Sequence, residues 1–131
     1  MTINGVMLIL SLTFLLLIQL IQAQHTTSLH GLGYAMSPRD KSVDVGILGG
    51  RIQRAKVNLI ENLMLFAPLS VLGETLQVNH SAVAWGAIIF FVARVVHFVV
   101  YLAGIKGIRT LAWLVGVVGC GMIAFALLGW A

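Results

Sequence analysis

The chain has 131 residues, of which 60% are hydrophobic and only 9% are charged, and its mean hydropathy is +1.02. A soluble domain carries about 25% charged residues, so this composition excludes an ordinary soluble protein and indicates an integral membrane protein in a lipid bilayer. The net charge of +4 does not indicate nucleic-acid binding, because no soluble basic surface remains to hold a duplex.

Four apolar segments are each long enough to cross the roughly 30 Å hydrocarbon core of a bilayer as an α-helix. Short connections join the last three of them, as in a helical bundle. We therefore predict an all-α membrane protein in which residues 1–131 form a single domain, a bundle of four transmembrane helices with one sizeable loop at about 24–56. The predicted spans are about 3–23, 57–76, 81–103 and 108–131.

A signal peptide is the alternative interpretation of the first segment. The segment has no basic residue ahead of its apolar run, and the run exceeds the roughly 7–15 residues that are typical of a signal peptide. We therefore expect a retained span. The only cysteine, Cys120, lies inside the fourth predicted span, which excludes an intrachain disulfide and favours a packing role for this side chain.

Basic residues predict the orientation of the bundle. Seven of the eight Lys and Arg residues lie in the predicted loop at 24–56 or around the connection between the last two spans. The connection at 77–80 has none. The positive-inside rule therefore predicts a cytoplasmic loop and places both termini outside. A phosphatase fused to the carboxyl terminus should be active, and a cytoplasmic reporter signal there would reverse this orientation.

The eighth basic residue, Arg94, lies within the third apolar segment. An ionisable group near the middle of a span costs roughly 2.5–3.5 kcal/mol on insertion scales, and it normally faces a bundle interior or a cavity and has a partner. His97 and Tyr101 follow three and seven residues later, so the three side chains share one helical face. A second polar stripe precedes and enters the second span, at Arg51, Arg54, Asn58 and Glu61.

Two polar stripes on neighbouring apolar helices predict one buried or interfacial polar site. Glu61 needs a cationic partner, for which Arg54 and Arg94 are the candidates. Arginine is suited to bind carboxylates, and a cation or hydroxyl donor stabilises a thiolate, so the site suits a small carboxylated thiol. Each stripe also has a structural interpretation, in which Arg51 and Tyr101 are interfacial anchors, Glu61 pairs with an arginine and His97 is a packed helix residue. No set of metal ligands is present, and we expect no metal.

Two motifs carry a family resemblance. Residues 54–61 read RAKVNLIE and are followed by Phe66 and Pro68, which resembles the R-A-x-x-N-x-x-E motif of the MAPEG family, the membrane-associated proteins of eicosanoid and glutathione metabolism. Residues 94–102 read RVVHFVVYL and resemble the R-x-x-H/Y-x-x-x-Y motif of that family's third helix. The resemblance covers about residues 37–115 and is greatest to the bacterial branch. The chain departs from some members at Asn62, where they have an aromatic residue.

The resemblance implies a homotrimer of four-helix subunits in a bacterial inner membrane, with glutathione as the co-substrate bound between subunits. It implies that Arg109 and Tyr101 act on the sulfur. The implied function is a glutathione-dependent transferase or peroxidase acting on lipophilic electrophiles or hydroperoxides. The alternative is a non-catalytic membrane protein, namely a binder, a transporter or a structural trimer, with a buried Arg–Glu network. The residues implied to contact glutathione are Arg54, Asn58, Glu61, Arg94, His97 and Tyr101.

Overall fold

The computed structural model describes residues 1–78 and 80–129, and this part of the chain forms four α-helices. Each helix is long and apolar enough to cross a membrane. The predicted all-α bundle of four transmembrane helices is therefore confirmed. Residues 130 and 131, at the end of the predicted fourth span, lie outside the described residues. The helices are α1 (Ile3–Met36), α2 (Gly46–Thr75), α3 (Ser81–Ala103) and α4 (Ile108–Leu127).

The segment predicted as a loop at 24–56 is mostly helical. Helix α1 continues to Met36 and α2 begins at Gly46, so the connection between them covers only 37–45. Gly31, with a φ of 80°, interrupts α1, and the part before it, residues 3–30, corresponds to about 42 Å of helix, which exceeds the roughly 30 Å core of a bilayer. Hydropathy detects the apolar part of a helix, and it missed the extensions of α1 and α2 because their sequences are more polar.

Helix α1 packs against α2 and α3, and α4 packs against α3 and α2, whereas the described parts of α1 and α4 do not touch. The α3–α4 contact is close because glycines face each other. A Cβ on Gly86 would lie 2.6 Å from the carbonyl oxygen of Gly119, and a Cβ on Gly119 would lie 2.6 Å from that of Gly86. Small residues of this kind let membrane helices approach through their backbones, and here they hold α4 firmly on α3.

The core between α2 and α3 contains a stacked aromatic pair. The rings of Phe66 and Phe90 are nearly parallel, with their centroids 4.0 Å apart, and Ile18 of α1 and Ile123 of α4 are fully buried in the same cluster. Many of the remaining apolar side chains are exposed, as in α1, where Leu16 is 54% exposed. These outer faces are suited to contact lipid or neighbouring chains.

Polar contacts join the start of α1 to the end of α2, on the side of the bundle away from the 37–45 connection. The Glu74 carboxylate of α2 accepts hydrogen bonds from the backbone N–H of Gly5, at 2.9 Å, and from the Thr2 hydroxyl. One turn deeper, the Asn4 amide donates to the backbone carbonyl of Ser70 at 2.9 Å. Because one of these bonds satisfies the backbone N–H of Gly5 at the start of α1, Glu74 has a structural partner within the chain.

Candidate functional site

Arg94 joins three helices from a buried position in α3. It is only 2% exposed. Its Nη1 donates to Asn58 Oδ1 of α2 at 3.2 Å. Its Nη2 donates to the backbone carbonyls of Ala112, at 3.0 Å, and Trp113, at 3.2 Å, in the second turn of α4. The intramembrane charge is therefore stabilised by neutral acceptors, and it fixes α2 and α4 relative to α3.

Gly116 provides the space that the Arg94 guanidinium occupies. A Cβ at this position would lie 2.9 Å from both Cζ and Nε of Arg94 and would also contact Nη2. Any larger side chain would therefore push the guanidinium away from its acceptors. In the described part of the chain, Arg94 Nε is buried without a hydrogen-bond partner. Small residues recur every four positions in this part of α4, at Ala112, Gly116 and Cys120, but the sequence does not indicate that an arginine fills the space beside them.

Glu61 has a different position from the one expected. Its side chain is exposed on α2, and within residues 1–78 and 80–129 the Arg94 donors go to Asn58 and to backbone carbonyls. The predicted Glu61–Arg94 contact is thus not formed within one chain, because Asn58 lies one turn closer to Arg94 and accepts its hydrogen bond. Coupling of Glu61 to an arginine across a subunit boundary stays a prediction.

Tyr101 is the point at which the two polar stripes meet. Arg54 Nε of α2 donates to the Tyr101 hydroxyl oxygen at 3.2 Å. Arg109 Cζ, at the start of α4, lies 5.1 Å from the centroid of the Tyr101 ring, within the range of a cation–π contact. The His97 ring lies one turn earlier on α3, with its centroid 5.5 Å from that of Tyr101. The Tyr101 hydroxyl therefore lies in a strongly cationic environment.

Two neighbouring cavities share Tyr101 and Arg109 as lining residues. The first, which we call the inner cavity, has a volume of about 200 Å³. The second, the outer cavity, has a volume of about 210 Å³, lies beside the turn between α3 and α4, and is lined by four cationic side chains. A separate groove of about 370 Å³ between α3 and α4 has an apolar lining that includes Val92 and Leu111. The inner cavity is lined by Asn58, His97, Tyr101, Arg109, Thr110 and Trp113.

The structure thus brings most of the residues singled out in the sequence into one region. Arg54, Asn58, His97, Tyr101 and Arg109 all line one or both cavities. Arg94 lies behind Asn58, and Glu61 lines neither cavity. Sequence reasoning missed several further lining residues, among them Trp113 in the inner cavity and Lys106 in the outer one. The sequence pointed to these two residues only through their position, because each lies within four residues of Arg109.

A sequence model of the MAPEG family matches residues 4–129, nearly the whole chain. The chain belongs to the MAPEG family. No curated protein and no solved structure matches it. Membership of MAPEG agrees with the four membrane-spanning helices of the structure, and the matched region includes α1 and α4, which the two sequence motifs did not cover. The chain is therefore an integral membrane protein, and its family is associated with glutathione.

The contact between Arg94 and Asn58 predicts energetic coupling. In a double-mutant cycle with Arg94→Gln and Asn58→Ala, the double mutant should lose about 0.5–3 kcal/mol less unfolding free energy than the sum of the two single losses, as expected for residues in contact. Denaturant unfolding in detergent is the measurement. The matched cycle of Arg94→Gln with Glu61→Gln should be additive to about 0.5 kcal/mol in a monomer. Strong coupling of Glu61 that appears only in an oligomer would place the pair across a subunit boundary.

Proposed function

We propose that this MAPEG protein is a glutathione-dependent transferase or peroxidase acting on lipophilic electrophiles or hydroperoxides. The observation that carries the proposal is the environment of the Tyr101 hydroxyl, which accepts a hydrogen bond from Arg54 and lies in the wall of a cavity that Arg109 also lines. A phenol hydroxyl beside guanidinium groups is suited to donate a hydrogen bond to an anion. The reactive form of a thiol, the thiolate, is such an anion.

The charges of the site residues are complementary to those of glutathione. Glutathione carries two carboxylates, an ammonium group and a thiol, and the site supplies Arg54 as a cation for a carboxylate and Arg109 as a cation for the thiolate. Each cavity alone is smaller than the roughly 300 Å³ at the lower end of small-molecule sites. An extended tripeptide would therefore need both cavities, or one cavity completed by another chain. The exposed carboxylate of Glu61 would suit the ammonium group, and we propose a homotrimer in which glutathione lies between subunits.

Arg109 and Tyr101 have the catalytic roles in this proposal. They would hold the sulfur as thiolate, with its proton lost to water, because a cation and a hydroxyl donor favour the charged form. In a transferase reaction the thiolate attacks an electrophilic carbon, a C–S bond forms, and the leaving group departs with its electron pair. In a peroxidase reaction the thiolate attacks the terminal hydroperoxide oxygen, the O–O bond breaks, and the alkoxide that leaves takes a proton from water to become an alcohol. A second glutathione then reduces the resulting sulfenic acid, which yields the disulfide and water.

The lipophilic substrate would reach the sulfur from the bilayer. Trp113 lines the inner cavity and is also 38% exposed on the outside of α4, next to the exposed Leu114. An apolar electrophile dissolved in lipid would meet this face of α4 before the polar cavity. The arrangement favours a substrate that is supplied by the membrane over one that enters from water.

A non-catalytic role is the second candidate, and the burial of Arg94 favours it. This residue, one of the motif positions, bonds to three groups of the chain itself. A motif arginine of that kind can serve to hold helices together without contacting any ligand. The same motif would then mark a stable membrane bundle or a binder.

Glutathione binding and turnover by the purified protein in detergent separate the two candidates. We expect saturable binding in calorimetry, binding also of ophthalmic acid, which has a methyl group in place of the thiol, and turnover of chlorodinitrobenzene or cumene hydroperoxide. Arg54→Gln should weaken binding by about tenfold, as for loss of a hydrogen bond to a charged group. Lys41→Gln, in the 37–45 connection, is the control and should bind normally. Binding without turnover would favour the binder, and absence of binding would contradict the proposal.

A further inference from the structure

The outer cavity is lined by two cationic residues, Arg51 and Lys106, that the proposed glutathione chemistry does not use. It lies where the first turns of α2 meet the turn between α3 and α4, on the same side as the 37–45 connection, and its volume is about 210 Å³. Four of its lining side chains are cationic: Arg51, Arg54, Lys106 and Arg109. The chain has four acidic residues, and none of them lines this cavity in the described part of the chain.

Arg51 is held in place at the wall of the outer cavity. Its Nη1 donates to the backbone carbonyl of Leu102 at 2.9 Å, which satisfies one of the free carbonyls at the end of α3. Gly104 follows with a φ of 75°, and a Cβ there would lie 2.7 Å from Arg51 Nη2. The guanidinium therefore packs against a turn that requires glycine. This packing orders the Arg51 charge at the cavity.

The four like charges repel one another, and their repulsion is weakened most directly by an anion between them. We propose that the outer cavity binds a phosphate group. A phosphate presents several oxygens and up to two negative charges, which matches a set of arginine forks and a lysine point charge. The Tyr101 hydroxyl supplies a further donor. A single carboxylate would leave most of these donors unused.

The site overlaps the proposed glutathione site at Arg54, Tyr101 and Arg109, but Arg51 and Lys106 line only the outer cavity and are not among the residues proposed to contact glutathione. Its level in the bundle is that of lipid headgroups, since α3 ends at Ala103 and α4 begins at Ile108. Basic pockets between membrane helices on this side are typical sites for anionic phospholipid headgroups. The same phosphate chemistry could come from a phospholipid or from soluble phosphate, and the experiment separates the two.

Thermal unfolding of the full chain in detergent tests the site with inorganic phosphate as the probe. We expect saturable stabilisation by sodium phosphate over sodium chloride at equal ionic strength. Lys106→Gln should weaken the apparent affinity by about tenfold, as for loss of one charge-assisted hydrogen bond. Lys41→Gln removes a charge from the 37–45 connection and should respond like the unmodified chain. Arg51→Gln is a second variant, and it should also lose the thermal stabilisation by phosphate.

Nanodiscs identify the source of the phosphate. Phosphatidylglycerol titrated into phosphatidylcholine nanodiscs should stabilise the chain saturably, with the same dependence on Lys106, if the ligand is a headgroup. A response to inorganic phosphate alone would identify a soluble phosphate compound. The proposal is overturned if neither probe acts, or if Lys106→Gln responds like the unmodified chain. Phosphate binding needs no thiol turnover, so the result does not depend on the proposed catalytic function.

Discussion

Gly116→Ala is expected to displace Arg94 and to destabilise the bundle by about 3 kcal/mol. The added Cβ would lie 2.9 Å from Arg94 Cζ, and overpacking of this kind costs typically about 1–3 kcal/mol. Displacing the guanidinium would also weaken its bonds to Asn58 and the α4 carbonyls, and a hydrogen bond to a charged group contributes about 1.5–3 kcal/mol. Denaturant unfolding in detergent measures the change.

Gly121→Ala is the matched control for this substitution. Gly121 lies in the same helix, and a Cβ there would meet nothing within 4 Å, so the change should be neutral or slightly stabilising through helix propensity. Combining Gly116→Ala with Arg94→Lys should cost less than the two losses added, because the shorter reach of the lysine head group relieves the clash. Equal stability of the two alanine variants would show that Arg94 does not pack against Gly116.

Arg109→Ala is expected to lower turnover with glutathione by on the order of 10²-fold, as for loss of one donor to a developing or stabilised anion. If Arg109 holds the thiolate, its loss should raise the pKa of bound glutathione, and each pKa unit corresponds to about 1.4 kcal/mol. Binding should change little, because the proposed role is exerted on the sulfur. Ultraviolet absorbance of the thiolate, titrated against pH with glutathione bound, measures the shift.

Two further variants separate charge from position at this site. Arg109→Lys keeps the positive charge and should retain part of the thiolate signal at neutral pH. Arg54→Ala should raise the Kd for glutathione before it affects the thiol pKa, because Arg54 is proposed to hold the peptide part of the ligand. An unchanged thiolate titration in Arg109→Ala would show that another donor stabilises the thiolate. Tyr101→Phe is then the next variant to measure.

The phosphate site and the proposed glutathione site share Arg54, Tyr101 and Arg109, which has a consequence for both sets of experiments. Arg109 and Tyr101 line the inner and the outer cavity alike, so a phosphate in the outer cavity would lower the local positive potential. Thiolate titrations should therefore be performed in phosphate-free buffer. Lys106→Gln, which changes only the outer cavity, is the variant that shows whether the occupancy of one cavity affects the other.

Local properties of the sequence determined the class of the protein and the number of its helices. Hydropathy predicts spans because a helix in lipid needs about 20 apolar residues wherever the rest of the chain lies. The same locality made Arg94 conspicuous, since a charge in an apolar run is costly in any fold. The i+3 and i+7 spacing of His97 and Tyr101 correctly placed them on the Arg94 face, because helical periodicity is also a local property.

Only the tertiary structure decided which partners these groups have. The sequence offered Glu61 as the partner of Arg94, but the rotation of α2 against α3 presents Asn58 to the guanidinium and leaves Glu61 on the outside. The carbonyl acceptors of α4 and the space at Gly116 depend on how closely two helices approach. Helix rotation and helix separation result from the packing of many side chains across elements, and no local pattern records them.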